Sequence, residues 1–244
     1  MKTIKPIIFI FLCLFSLTTI YSQQLDSSSL KQKVLSQLNI SPNDIQKDLF
    51  VDKVLPYNKS VSIVVIPKII DKEIDSFVEY DAYILLVDNY SGKILSRYYK
   101  SKAWTSDAIY ISSIEIDVAN YDLNSNVKAF GIRVNYISSS RPNPYEETEL
   151  SLFIQHGNNL DCVLKNYIVA RYSGEWNLNC EGKFETINST IIIDKKMTNN
   201  FYNLIVKSKS VTIENEKVNN DCVEKIIDKK TSFGKLIFNG LEYQ

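Results

Sequence analysis

From residue 61 onward the chain alternates between short runs of Ile, Val, Tyr and Phe and clusters of Asn, Gly, Ser and Pro, at intervals of about 10 to 15 residues. That pattern predicts strands over 60–66, 77–87, 93–99, 108–118, 127–137, 148–155, 163–174, 182–194, 203–213, 222–229 and 234–238. Two connections announce themselves as hairpins. Residues 88–92 and 155–159 each place Gly or Asn, which tolerate positive φ, between two apolar runs. Ahead of the strands, Leu30, Val34 and Leu38 recur at helical spacing over 27–38 behind a serine cap. Ser41 and Pro42 open a second short helix with Ile45 and Leu49 on one face. The expected fold is mainly β: an antiparallel meander or sandwich of about eleven strands with one or two short N-terminal helices. No repeat with a recurring motif points to a propeller, and no helical crossover follows residue 55.

The first 22 residues read as a secretory signal. Lys2 and Lys5 precede an apolar run over 7–17, and Ile20, Tyr21 and Ser22 stand before the expected cut. The run is about half of the roughly 20 residues a spanning helix needs. Cys13 follows the bulky Phe11 and Leu12, which does not fit a lipid-anchoring cysteine. The domain reading is therefore 1–22 signal peptide, 23–55 helical N-terminal segment and 56–244 a single antiparallel β domain, in the periplasm or secreted, with no integral membrane segment after cleavage.

Export changes the meaning of the cysteines. Cys162, Cys180 and Cys222 remain in an oxidising compartment, which allows one disulfide and one free thiol. Cys180 and Cys222 both lie in polar, turn-rich stretches, whereas Cys162 enters an apolar run where a buried thiol is comfortable. Pairing of Cys180 with Cys222 is favoured.

Charge excludes more than it suggests. Lys plus Arg and Asp plus Glu are 28 each, and cleavage removes Lys2 and Lys5, so no basic excess exists to neutralise phosphates and nucleic acid is not expected as a partner. One histidine, His156, rules out a multi-histidine metal site and gives a catalytic triad one possible base, on a predicted turn with no identifiable partner. There are 7 glycines and no phosphate-cradling glycine motif. Glu115, Asp117, Asn120, Asp122, Asn124 and Asn126 supply hard oxygens, but the positions an EF-hand needs as Gly and Glu, counted from Asp117, are Asp122 and Lys128; a solvated strand end is favoured. No cofactor and no metal is expected.

The longest polar stretch between apolar strands is 138–147, stiffened by Pro142 and Pro144. Arg141, Asn143 and Tyr145 are its candidate binding residues, since arginine and tyrosine supply area and directed hydrogen bonds; a structural corner is the competing reading. Trp176 either packs on the disulfide or is a surface aromatic. The lysines at 195, 196, 207, 209, 229 and 230 read as edge charges that discourage strand addition.

Thr105 to Ala108, Ala129 to Val134, Ser139 to Tyr145, and Gly174 to Trp176 with Cys180 to Phe184 together resemble a family of uncharacterised exported proteins of Gram-negative bacteria, over roughly residues 55–225. The resemblance implies export and a shared fold and carries no catalytic residue. The expectation is an exported, non-enzymatic β-protein that binds another protein or an envelope component, in a narrower form an immunity or inhibitor protein. The alternatives are a carboxylate-based glycan hydrolase using acids such as Glu115, Asp117, Glu149 or Glu175, and a purely structural protein.

Overall fold

The computed structural model describes residues 23–73 and 77–244; the signal-peptide reading of 1–22 lies outside them. One helix, α1 (Ser27–Leu38), precedes eleven strands: β1 (Val51–Leu55), β2 (Asn58–Glu73), β3 (Phe77–Asp88), β4 (Ile94–Ser106), β5 (Ile109–Asp122), β6 (Lys128–Ser138), β7 (Tyr145–His156), β8 (Asn159–Trp176), β9 (Gly182–Thr198), β10 (Phe201–Val218) and β11 (Asp221–Leu236). They form one sheet in the order β1-β2-β3-β4-β8-β7-β6-β5, with β9 on β8, β10 on β9 and β11 on β10. The fold is mainly β, as the residue pattern predicts.

Two four-stranded antiparallel meanders, β1–β4 and β5–β8, carry the architecture. They meet through a parallel contact of one residue pair, Arg97 with Asn159, supported by the Ser96 hydroxyl donating to the Gly157 carbonyl at 2.9 Å. At the other side Lys53 Nζ of β1 donates to the Ile116 carbonyl of β5 at 3.1 Å. The inner faces pack on one another through residues such as Ile63, Ile84, Trp104, Ile114, Phe130 and Phe153.

Burial on both faces explains why β2 and β3 read as continuous apolar runs. Val61, Ile63 and Val65 face the other meander while Val64 and Ile66 face α1, and β3 repeats this with Ile84 and Leu86 against Leu85 and Val87. Leu30, Val34 and Leu35 of α1 close that outer cluster. Each such side chain contributes about 1.5–3 kcal/mol, more than the roughly 1 kcal/mol of a cap, so tertiary burial dominates in holding α1. The cap is Asp26 rather than a serine, its carboxylate accepting from Ser29 N at 2.7 Å.

A third cluster covers the outer face of β6–β8. Leu150, Leu152 and Leu164 pack against Leu204 of β10 and against Phe238 and Tyr243 of the C-terminal tail. The base of the β9–β11 ribbon is thereby fixed, and at its other end β9 residues 182–188 pair with β8 residues 170–176.

Three details differ from the pattern-based reading. The segment 41–49 is not a second helix: Gln46 N donates to Pro67 O and Ile69 N to Asp44 O, so the open edge of β2 takes these backbone groups, leaving only a 3₁₀ turn at Lys47–Leu49. Continuing along that edge, 51–55 is strand β1 rather than part of a helical segment. The strands expected over 222–229 and 234–238 are one, because Gly234 pairs with Val206 without a break and Phe238 lies in the tail.

Candidate functional site

Pro142 and Pro144 cannot donate to a strand ladder, but their carbonyls can accept. Trp176 N donates to Pro142 O at 2.8 Å and Gly174 N to Pro144 O at 3.1 Å, so the loop between β6 and β7 is laid along the end of β8. Ser140 Oγ accepts from Asn143 N and Ser138 Oγ from Ser140 N, which shapes the turn. The structural-corner reading therefore describes the backbone and the serines of this loop, while the Arg141 and Asn143 side chains make no hydrogen bond or ion pair among the described residues.

The loop stands at the end of the β9–β11 ribbon where β9 pairs with β8, and both line a groove of about 870 Å³. Asn143, Pro144 and Tyr145 line one wall, Ile109 and Ser138 an end, and Ile227 and Asp228 of β11 the far wall. Two smaller recesses share its lining: one of about 320 Å³ beside Arg141, Trp176 and the disulfide, and one of about 550 Å³ beside Asn143, Glu175 and Glu214. Gly174 forms part of the floor because a Cβ there would collide with the Phe184 ring. Phe184 is in turn stacked on Tyr172, centroids 6.0 Å apart and planes within 3°.

The Cys180–Cys222 disulfide, Cα atoms 5.6 Å apart, ties the start of β11 to the turn between β8 and β9 and lines the smaller recess beside Arg141. Asn177 Oδ1 accepts from Asn179 N and Cys180 N, ordering that turn. Trp176 is partly buried beside the bridge.

The three sequence-chosen residues differ in their commitments. Arg141 and Asn143 are exposed, and neither side chain makes a hydrogen bond or ion pair among the described residues. Tyr145 is partly buried and its hydroxyl donates to Glu147 Oε2 at 2.6 Å. That carboxylate also accepts from Arg171 Nε and a terminal guanidinium nitrogen at 2.9 and 2.7 Å. Tyr145 thus belongs partly to a buried polar network on the inner face of β7. Two residues on, burial and then the neighbouring Glu147 charge push the Glu149 carboxyl up to about 7. Burial and the same two acids raise the Tyr136 hydroxyl.

Of the four acids weighed for hydrolysis, only Glu115 and Asp117 share a face. Asp117 stands opposite Gly131 and Glu115 opposite Arg133, on the outer face of β5 and β6. Glu149 stands opposite Val134 on the inner face. Glu175 pairs with Lys183 at the end of β8. Asp117 is moreover committed: although burial opposes it, Ala119 N, the Tyr121 hydroxyl and Arg133 hold its carboxyl below the ordinary range. The neighbouring oxygens meet protein donors as well, Lys128 Nζ lying 2.6 Å from Asn120 Oδ1 and 3.1 Å from Asp122 Oδ1. Among the described residues no group of three or more His, Cys, Asp or Glu is placed to hold a metal ion. His156 is exposed at its hairpin, with Nδ1 3.2 Å from Asp161 Oδ2. Cys162 is the free thiol; its Sγ–H donates to Leu164 O, and burial pushes it up to about 12, far from a reactive thiolate. No helix among the described residues is long and apolar enough to cross a membrane.

Sequence reasoning found the loop and missed the wall facing it. Ile109, Phe184 and Ile227 are far apart in the chain, and no local pattern links them. No family model, no curated protein and no solved structure matches the chain.

Proposed function

We propose that the chain is exported to the periplasm or beyond and acts there as a non-enzymatic binding protein, seating a polypeptide segment of a partner in the groove between the 139–144 loop and the β9–β11 ribbon. The observation that carries this reading is the groove itself, a recess of about 870 Å³ with Asn143 unengaged in its lining, sharing Pro144 and Phe184 with the smaller recess beside the unengaged Arg141. A purely structural protein has no use for such a recess, and the dispersal of the four candidate acids favours binding over hydrolysis. The apparent signal segment and the disulfide support an oxidising compartment. Its narrower form is an inhibitor that occupies a protein delivered to the cell envelope.

The test is capture of envelope and secreted proteins on immobilised 23–244, comparing the native chain with Arg141→Ala/Asn143→Ala. Exposed side chains of this type leave stability nearly unchanged, so the double variant should melt as the native chain does while losing capture by about tenfold or more. Capture that is equal for both chains would remove the groove as the site.

A further inference from the structure

The last strand of the sheet, β11, has β10 as its one partner among the described strands, so 16 residues of backbone present an open edge. That edge carries four exposed apolar side chains among its charges: Val223, Ile226, Ile227 and Phe233 are 41%, 60%, 40% and 65% exposed. Its centre reads Glu224, Lys225, Ile226, Ile227, Asp228, Lys229. Read against its own reverse, this hexapeptide sets Glu224 opposite Lys229, Lys225 opposite Asp228 and Ile226 opposite Ile227.

We infer that β11 is a self-complementary edge through which two copies of this chain pair antiparallel about a two-fold axis between Ile226 and Ile227. Register is restrictive here. A slip of one residue in one direction sets Lys225 against Lys229, and in the other sets Glu224 against Asp228; like charges directly opposite are destabilising. Of these registers only the palindromic one matches all four charges of the hexapeptide.

Symmetry adds a condition that a regular strand would fail. In a two-fold antiparallel pair, residues directly opposite must lie on the same face. Strict alternation would put Lys225 and Asp228, three positions apart, on opposite faces. The ladder with β10 shifts at this point: Lys225 pairs with Glu214 and Asp228 with Thr212, two residues apart and therefore on one face, while Glu224 pairs with Asn215 and Lys229 with Val211, both on the other. The bulge at Ile227 supplies the parity change that the palindrome requires. Bulges and edge lysines ordinarily deter strand addition; here they deter every partner except one carrying the same bulge and the same charges in reverse. In the single chain Asp228 accepts from Lys230 at 2.7 Å on an open surface, an arrangement that leaves its other oxygen for the partner's Lys225.

The pairing is tested by sedimentation equilibrium of oxidised 23–244 up to high micromolar concentration, and it does not depend on what the groove binds. The native chain should dimerise. Glu224→Lys or Lys229→Glu alone turns two attractive cross-strand pairs into two repulsive ones and should weaken the dimer by about tenfold or more, while Glu224→Lys/Lys229→Glu together should restore it to within about threefold. A native chain that stays monomeric, a dimer indifferent to single reversals, or a double reversal no better than either single one overturns the proposal. The reversals lie on exposed side chains, so they read association without disturbing the fold.

Discussion

Glu149 makes the inner face of β7 sensitive to pH in a direction opposite to the usual carboxylate. It stands between Val134 and Ile168 on the neighbouring strands, and accepts no hydrogen bond among the described residues. Burial and Glu147 together lift it from an ordinary 4.5 to about 7, with Lys100 opposing. A carboxyl raised in the folded state binds more protons there than in the unfolded chain between those two values, so stability falls as pH rises from about 4.5 to about 7 and levels off above. Full transfer of that shift would cost the folded state about 3 kcal/mol, and partial contact with solvent brings the expected figure to about 2 kcal/mol. Glu149→Gln keeps the shape and removes the charge. Urea unfolding of both chains across pH should show a difference near zero at or below pH 4.5 and the variant more stable by about 2 kcal/mol at pH 8. Taking the difference between the two chains cancels the other titrating groups. A variant that is equally or less stable at pH 8, or a difference that does not change with pH, would refute the reasoning.

Replacing Cys180 and Cys222 by serine releases a closed loop with a sequence separation of 42; in the chain-entropy model this costs about 3–4 kcal/mol, and a measured loss below about 1 kcal/mol would show that the packed base and the β8–β9 ladder hold the ribbon without it. Gly174→Ala should cost about 1–3 kcal/mol, because the added methyl meets the Phe184 ring and lies 3.0 Å from the Lys183 carbonyl. Adding Phe184→Ala should make the methyl nearly neutral, and a thermal double-mutant cycle with no coupling between the two sites would contradict this.

Local chemistry was legible where one segment decides the outcome. The helix at 27–38 follows from Leu30 and Val34, and the hairpin after β3 from Asp88, whose carboxylate accepts from Tyr90 N and Ser91 N ahead of Gly92 at φ 74°. The Cys180–Cys222 bridge follows from the polar settings of both residues. Two hairpins rest on Asn pairs rather than glycine: Asn199 and Asn200, then Asn219 and Asn220, all take positive φ, which is how a chain with 7 glycines turns so often. What eluded the pattern depends on partners elsewhere. Ile45 and Leu49 have helical spacing, but the β2 edge claims their segment and sends the two side chains to different clusters. The far wall of the groove, the Glu147–Arg171 pair and the partition of Glu115 from Glu149 arise from strand order, which periodicity does not encode.

The single pair joining β4 to β8 has a consequence for how the chain acquires its shape. Each meander is built from neighbours in sequence, whereas the seam between them closes a loop from Arg97 to Asn159 and yields little ladder in return. Loop closure must precede any reward from such a contact. The first meander with α1 can therefore condense as a chain emerges, before the residues of β8 exist. The two inner faces then join through side-chain burial, with the seam itself among the last backbone contacts to form. The bridge from Cys180 to Cys222 then locks a ribbon whose base is packed on Leu164 of β8.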